Sequence, residues 1–242
     1  MSAEARALRH LATKPLRGIV VPQVIDHSQW ASTEVLVMTV LRPGRRVRRA
    51  GAALNRAMRE VADWGRLVPT DASSYLDATR TSAVSGSERD GPDRFEQWVA
   101  MFDLIVEQHA VADLQLGAWH GDWTEWNCAA DRGMVAVWDW ERFGLGVPCG
   151  FDKLHFTMCE QVGPRRDRFL PAAMELIEDA PEILAPWRLR RDAARTTAML
   201  YILHLALRYL LDAAPRHSAI GRVEEWAYPA IRSALAGSNR ED

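Results

Sequence analysis

Between Leu116 and Glu141 the chain reads LGAWHGDWTEWNCAADRGMVAVWDWE, and the residues there with chemistry to offer are His120, Asp122, Asn127, Asp139 and Glu141. Their spacing is H-x-D-x-x-x-x-N, with an acid following a short apolar run, Met134 to Trp138. Asp131, Arg132 and Gly133 are turn formers, so that run is expected to be a strand entered from a tight hairpin. Asp139 would then stand at a strand end, facing the loop that carries Asp122 and Asn127. Such a group suits phosphoryl transfer, in which a carboxylate takes the proton of an attacking hydroxyl while an amide oxygen and a second carboxylate hold magnesium on the phosphates. Singly, each residue has a plainer role: a loop Asp caps or turns the chain, and a lone His braces it by hydrogen bonds. The joint spacing sets the group apart.

HGDWTEWN followed by VWDWE resembles the catalytic segment of the aminoglycoside phosphotransferase and choline kinase-like superfamily, whose members share the protein-kinase fold. The resemblance implies that Asp122 is the catalytic base, that Asn127 and Asp139 are metal ligands, that His120 braces the loop, and that Glu141 is a further acid. It implies ATP or another nucleoside triphosphate, Mg2+ and a small-molecule hydroxyl acceptor. The fold it implies is α+β and two-lobed, with a truncated small lobe and linker over residues 1–44 and a mainly helical large lobe over 45–242. Where the commoner family loop has His, Pro and Gly between base and amide, this chain has Thr124, Glu125 and Trp126.

Ala3 to Thr13 has helical apolar spacing. Gly18 to Ile25 reads as a strand with Pro22 at an edge or bend, and Thr33 to Leu41 as a buried strand ended by Arg42, Pro43 and Gly44. By the resemblance, Met38, Thr39, Val40 and Leu41 lie at the adenine edge; a plain hairpin without a ligand fits these residues as well. Arg45, Arg46, Arg48 and Arg49 read as a solvated entrance to a helix running from Ala50 to Trp64. Pro69 to Pro92, rich in Ser, Thr, Asp and Gly, reads mostly as a loop. Arg94 to Ala110 is strongly periodic and is expected to be the central buried helix of the large lobe. After Glu141 the segment RFGLGVPCGFDKLHF reads as a loop leading to a helix from about Phe151, with Asp152 as cap or loop anchor. Asp167 to Ala180, Leu189 to Ala213 and Arg222 to Ala236 read as helices.

The chain has 242 residues, 48% of them hydrophobic, a formal net charge of −2 and a pI near 6.4. That composition supports a sizeable core and carries no electrostatic footprint for nucleic acid or an anionic membrane. Three cysteines, Cys128, Cys149 and Cys159, without C-x-x-C spacing suggest neither a disulfide framework nor a zinc site, and point to the cytoplasm. Oligomeric state is not legible. Of ten tryptophans, Trp119, Trp123, Trp126, Trp138 and Trp140 crowd the central stretch. Packing is their default role; Trp123 and Trp126 are also candidates for an aromatic wall of the acceptor pocket.

A nucleotide site of this fold uses a Gly-rich strand pair over the phosphates and a lysine paired to a glutamate on the small-lobe helix. Here the helix begins almost at Met1, Glu4 has no lysine to meet, and Lys14 follows the helix instead of preceding it. The expectation is a reading frame that began upstream and feeble transfer by this chain alone. Two other readings stay open: a catalytically weak kinase-like binding protein, and a metallohydrolase using His120, Asp122, Asp139 and Glu141.

Overall fold

Apolar stripes at helical spacing account for most of the architecture. The computed structural model describes residues 2–14, 16–41, 44–46, 51–64, 72–90, 93–108, 111, 114–131, 133–163, 168–212, 218 and 221–238. They group into two compact units, Met1–Pro69 with Leu116–Phe156, and Thr70–Gln115 with Thr157–Asp242. These units follow a different line from the lobe division at residues 44 and 45, because the catalytic segment groups with the first helix and strands.

In the first unit, α1 (Ala3–Leu11) is capped by the Ser2 hydroxyl, which accepts from Ala5 N, and buries Ala5, Leu8 and Leu11. The strand expected over Gly18 to Ile25 is split. Its first part, β1 (Ile19–Val20), runs parallel to β7 (Met134–Val137), and β2 (Val24–Trp30) starts afresh beyond Pro22, which has no N–H for a ladder. The β2 strand pairs with β3 (Thr33–Met38) through a turn at Ala31, whose φ is +53°. This hairpin is a sheet of two strands and is not buried as expected: Ile25, Trp30 and Val37 are all exposed.

A four-stranded sheet of this unit is ordered β1-β7-β6-β4, where β6 is Cys128–Asp131 and β4 is Arg45–Arg46. Arg45 and Arg46 are therefore strand residues opposite Ala130 and Ala129, not a helix entrance. Arg48 and Arg49 lie outside the described residues. The helix α2 (Ala52–Trp64) buries Leu54, Met58 and Val61, and its Glu60 carboxylate accepts the backbone N–H groups of Arg17 and Gly18 at the start of β1. The segment expected as a loop after Glu141 forms β8 (Gly144–Pro148), which pairs with β5 (Leu116–Trp119). In β5, a Cβ at Gly117 would run into the carbonyl oxygen of Ala62 on α2 and the Cys149 sulfur. Gly117→Ala will cost about 1–3 kcal/mol of stability by overpacking, and an unchanged denaturation midpoint would show that the strand-to-helix contact is looser than described.

The second unit is helical: α3 (Ala72–Asp90), α4 (Asp93–Gln108), α6 (Phe169–Glu178), α7 (Ala180–Ile183), α8 (Arg191–Leu211) and α9 (Val223–Ser238). Between the fourth and sixth helices, α5 (Phe151–Val162) bridges the two units in sequence. The Pro69 to Pro92 loop expectation is overturned by α3. Its buried positions are Ala72, Tyr75, Thr79, Ala83 and Gly86, a helical stripe of mostly small or polar types that carries little hydrophobic signal. Tertiary contact makes the helix: a Cβ at Gly86 would strike Phe95 of α4 and Leu211 of α8. Among the described residues of this unit, α8 buries more side chains than α4, including Ala194, Thr197, Tyr201 and Leu205. The fourth helix packs on it through Trp98, whose indole N–H donates to Leu203 O at 2.8 Å.

Candidate active site

The loop from His120 to Asn127 leaves β5 and enters β6, and buried polar groups hold it at both ends. At its start, both carboxylate oxygens of Asp152, in the first turn of α5, accept backbone N–H groups, from His120 at 2.8 Å and from Gly121 at 3.1 Å. Burial pushes the Asp152 carboxyl up to about 6, against the two N–H groups, which favour the anion. Gly121 has φ +89°, and a side chain there would collide with the backbone of Arg142, so the turn requires glycine.

His120 is fully enclosed. Its Nε2–H donates to Trp138 O at 3.0 Å and its Nδ1 accepts from Asp122 N at 3.2 Å, which fixes one neutral tautomer. Burial lowers its pKa to about 4, so it is uncharged at neutral pH. With both nitrogens engaged it offers no lone pair to a metal, and among the described residues no group of three or more His, Cys, Asp or Glu side chains could hold one. The metallohydrolase reading fails on these two points. Trp140 packs edge-on against the ring at 4.5 Å.

Asp122 is half-buried, with 28% of its side chain accessible. Its Oδ2 accepts from Asn127 Nδ2 at 3.2 Å, and its backbone oxygen accepts from the same nitrogen at 2.9 Å. That commits the amide nitrogen and leaves Asn127 Oδ1 as the oxygen to offer a cation. Asn127 also lengthens the hairpin, because its carbonyl accepts Trp138 N at 3.1 Å one step beyond the Cys128–Val137 pair. One residue further, Asp139 takes a left-handed backbone conformation, φ 68° and ψ 58°, and leads into a single 3-10 turn over Trp140–Arg142. Glu141 on that turn is exposed.

Glu4, for which the sequence offers no lysine, gives its carboxylate to the backbone instead: its Oε1 accepts Trp140 N at 3.3 Å. Burial raises its pKa, and Asp139 and Glu141 raise it further by repulsion. The carboxylates of Asp139 and Glu141 thus lie close enough to Glu4 to act on it electrostatically, beside the end of the hairpin that carries Asn127.

The remaining candidates separate. Trp123 is fully buried and presents no face to an acceptor, whereas Trp126 is 60% exposed. At the strand end after Met38, Thr39 N donates to Gln23 O at 2.9 Å and the Thr39 hydroxyl accepts from Gln23 N at 2.8 Å, while Val40 stands out into solvent. The Cys128 thiol is pushed up to about 11 by burial and is no nucleophile. Sequence reasoning missed His155, whose Nε2 lies 3.3 Å from Asp122 Oδ1. The available signal was its place three residues after Asp152, on the same helical face.

The chain shares its fold with the structure described as the streptomycin-ATP-APH(2")-IIa ternary complex, at TM-score 0.55 and 11% identity, covering 95% of this chain and 81% of that one. This is the α+β, protein-kinase-like architecture. The model of the phosphotransferase enzyme family matches residues 1–149, a span that holds every loop and hairpin residue discussed above except Asp152 and His155. The chain belongs to that family. No curated protein matches it.

Proposed function

We propose that this protein transfers the γ-phosphoryl group of ATP to a hydroxyl of a small molecule. The observation that carries the reading is Asp122: an accessible carboxylate on a loop pinned by Asp152, His120 and Asn127, in a member of a phosphotransferase family. Asp122 accepts the hydroxyl proton as the acceptor oxygen bonds to phosphorus, and the bond to the bridging oxygen of the leaving diphosphate breaks in line. Asn127 Oδ1 and the Asp139 carboxylate would hold magnesium, with Glu141 as an additional acid, and a cation there would supply positive charge to the phosphates. Met38 to Leu41 form the adenine edge, and Trp126 gives the acceptor pocket an aromatic face. Streptomycin, bound by the structural neighbour, is a first acceptor to assay. A cytoplasmic setting suits the three free cysteines, and among the described residues no helix is long and apolar enough to cross a membrane.

The test is transfer from labelled ATP to a panel of aminoglycosides, choline and amino sugars, with and without magnesium. Metal-dependent labelling supports the reading, and none with any acceptor counts against it. A second reading, a kinase-like binding protein of weak catalysis, draws on Glu4, whose carboxylate is given to the Trp140 backbone. Tight Mg-ATP binding without turnover would select it.

Asp139→Ala will weaken Mg-ATP binding more than Asn127→Ala, because it removes a full charge next to a divalent ion whereas the amide offers a dipole. Titration calorimetry with and without magnesium measures both. Equal affinity in wild type and Asp139→Ala would end the assignment.

A further inference from the structure

Asp152 and His155 are three residues apart at the start of α5, so both project from one helical face. Asp152 is committed to the loop backbone at His120 and Gly121. The His155 ring is enclosed, with 4% of its side chain exposed, and its Nε2 reaches Asp122 Oδ1 at 3.3 Å. The other carboxylate oxygen takes the Asn127 amide. Asp122 is thus held at both oxygens from inside while part of it stays open to solvent.

We propose that His155 is a positioning residue for Asp122: its Nε2–H holds the carboxylate in the orientation from which the remaining lone pairs meet the acceptor hydroxyl. The inference rests on the reading of Asp122 as the base. An Asp carboxylate has a broad terminal torsion and does not orient itself. Asn127 alone is a poor clamp, because its amide oxygen has a second task at the cation. The imidazole is rigid, its rotation is blocked by burial, and its Nε2–H donates in the imidazolium form and in the neutral tautomer that carries the proton on Nε2. One helical turn then does two jobs, with Asp152 fixing the backbone of the loop and His155 fixing its reactive side chain.

The test separates this from a histidine that only fills the interior. His155→Leu keeps bulk and removes the donor; His155→Gln restores an N–H at similar reach. With Mg-ATP as the probe and water as acceptor in basal hydrolysis, His155→Leu lowers kcat about 10- to 100-fold, the scale of a displaced catalytic group. KM for ATP stays within about twofold, as expected for an interaction made in the transition state, and His155→Gln recovers most of the rate. Equal rates in the Leu and Gln variants, or KM and melting temperature changing in step with kcat, overturn the proposal. A second measurement needs no turnover: in protein labelled with 15N-histidine, the His155 Nε2–H resonance shifts on Asp122→Asn without nucleotide, and a signal that does not respond overturns the pairing. If wild type hydrolyses no ATP, or Asp122→Asn leaves hydrolysis unchanged, the base assignment fails on its own account, and the resonance alone decides whether His155 holds Asp122.

Discussion

Asp122→Asn will lower phosphotransfer by about 10²- to 10⁴-fold, the usual contribution of a positioned general base, with folding almost untouched. Asparagine has the same shape and keeps one acceptor oxygen for the pair of donors, Asn127 Nδ2 and His155 Nε2, that now share the two carboxylate oxygens. The other donor then faces an NH2 group, a mismatch worth about 1 kcal/mol. The site is also partly solvated, so a small rotation relieves some of that cost. Chemistry suffers far more, because an amide cannot take a proton from a hydroxyl at neutral pH. Single-turnover kinetics with labelled ATP and an accepted substrate isolate the chemical step, and a thermal melt reads the fold. An unchanged rate constant removes Asp122 from the mechanism.

His120→Gln will change how stability depends on pH, and the sign follows from two opposed shifts. The pKa of His120 falls from 6.5 to about 4 on folding, so between those values the unfolded chain binds more protons. Its neutral burial is therefore harmless above pH 6.5 and is increasingly penalised as pH falls to 4. The Asp152 carboxyl moves the other way, from 3.8 up to about 6, so folding favours its protonated form and stability falls as pH rises through that window. Each shift amounts to about 3 kcal/mol at ~1.4 kcal/mol per pKa unit, and across roughly pH 4 to 6 the two slopes offset. Removing the imidazole exposes the Asp152 slope: relative to wild type, His120→Gln gains stability toward pH 4 by about 3 kcal/mol. Asp152→Asn does the reverse and makes the protein more acid-sensitive. Urea denaturation of the three proteins at several pH values measures both, and parallel curves would show that the groups do not titrate as buried neighbours.

The loop and hairpin that carry the candidate groups are legible in the sequence. The spacing of Asp122, Asn127 and Asp139 needs only a loop and a two-stranded hairpin to bring the groups together. Turn formers at Asp131 and Gly133 and a run of apolar residues secure that hairpin, with β6 and β7 paired as expected. Helices with strong stripes, such as α2 through Leu54, Met58 and Val61, were legible for the same reason: their apolar period is written into neighbouring residues. Asp152 as an anchor was legible from its place at a helix start.

Contacts between residues far apart in the chain set the rest. The stripe of α3 is made of Ala, Thr and Gly beside a single Tyr, and it becomes a helix face only because Phe95 and Leu211 pack into it. Arg45, Arg46 and the glycine-rich β8 become strands because β6 and β5 supply their partners, a pairing that intrinsic propensity does not encode. The hairpin of β2 and β3 pairs as a sheet, yet its apolar residues lie in the open, because burial depends on what covers a strand and not on the strand's own composition. Burial also divided two tryptophans of equal promise, enclosing Trp123 and exposing Trp126. The partners of Asp122 and Trp140, His155 and Glu4, lie 33 and 136 residues away in sequence and meet them only when α5 and α1 are in place. A short motif can name the reacting group; the donors that hold it are chosen by packing, which brings together side chains that no local pattern relates.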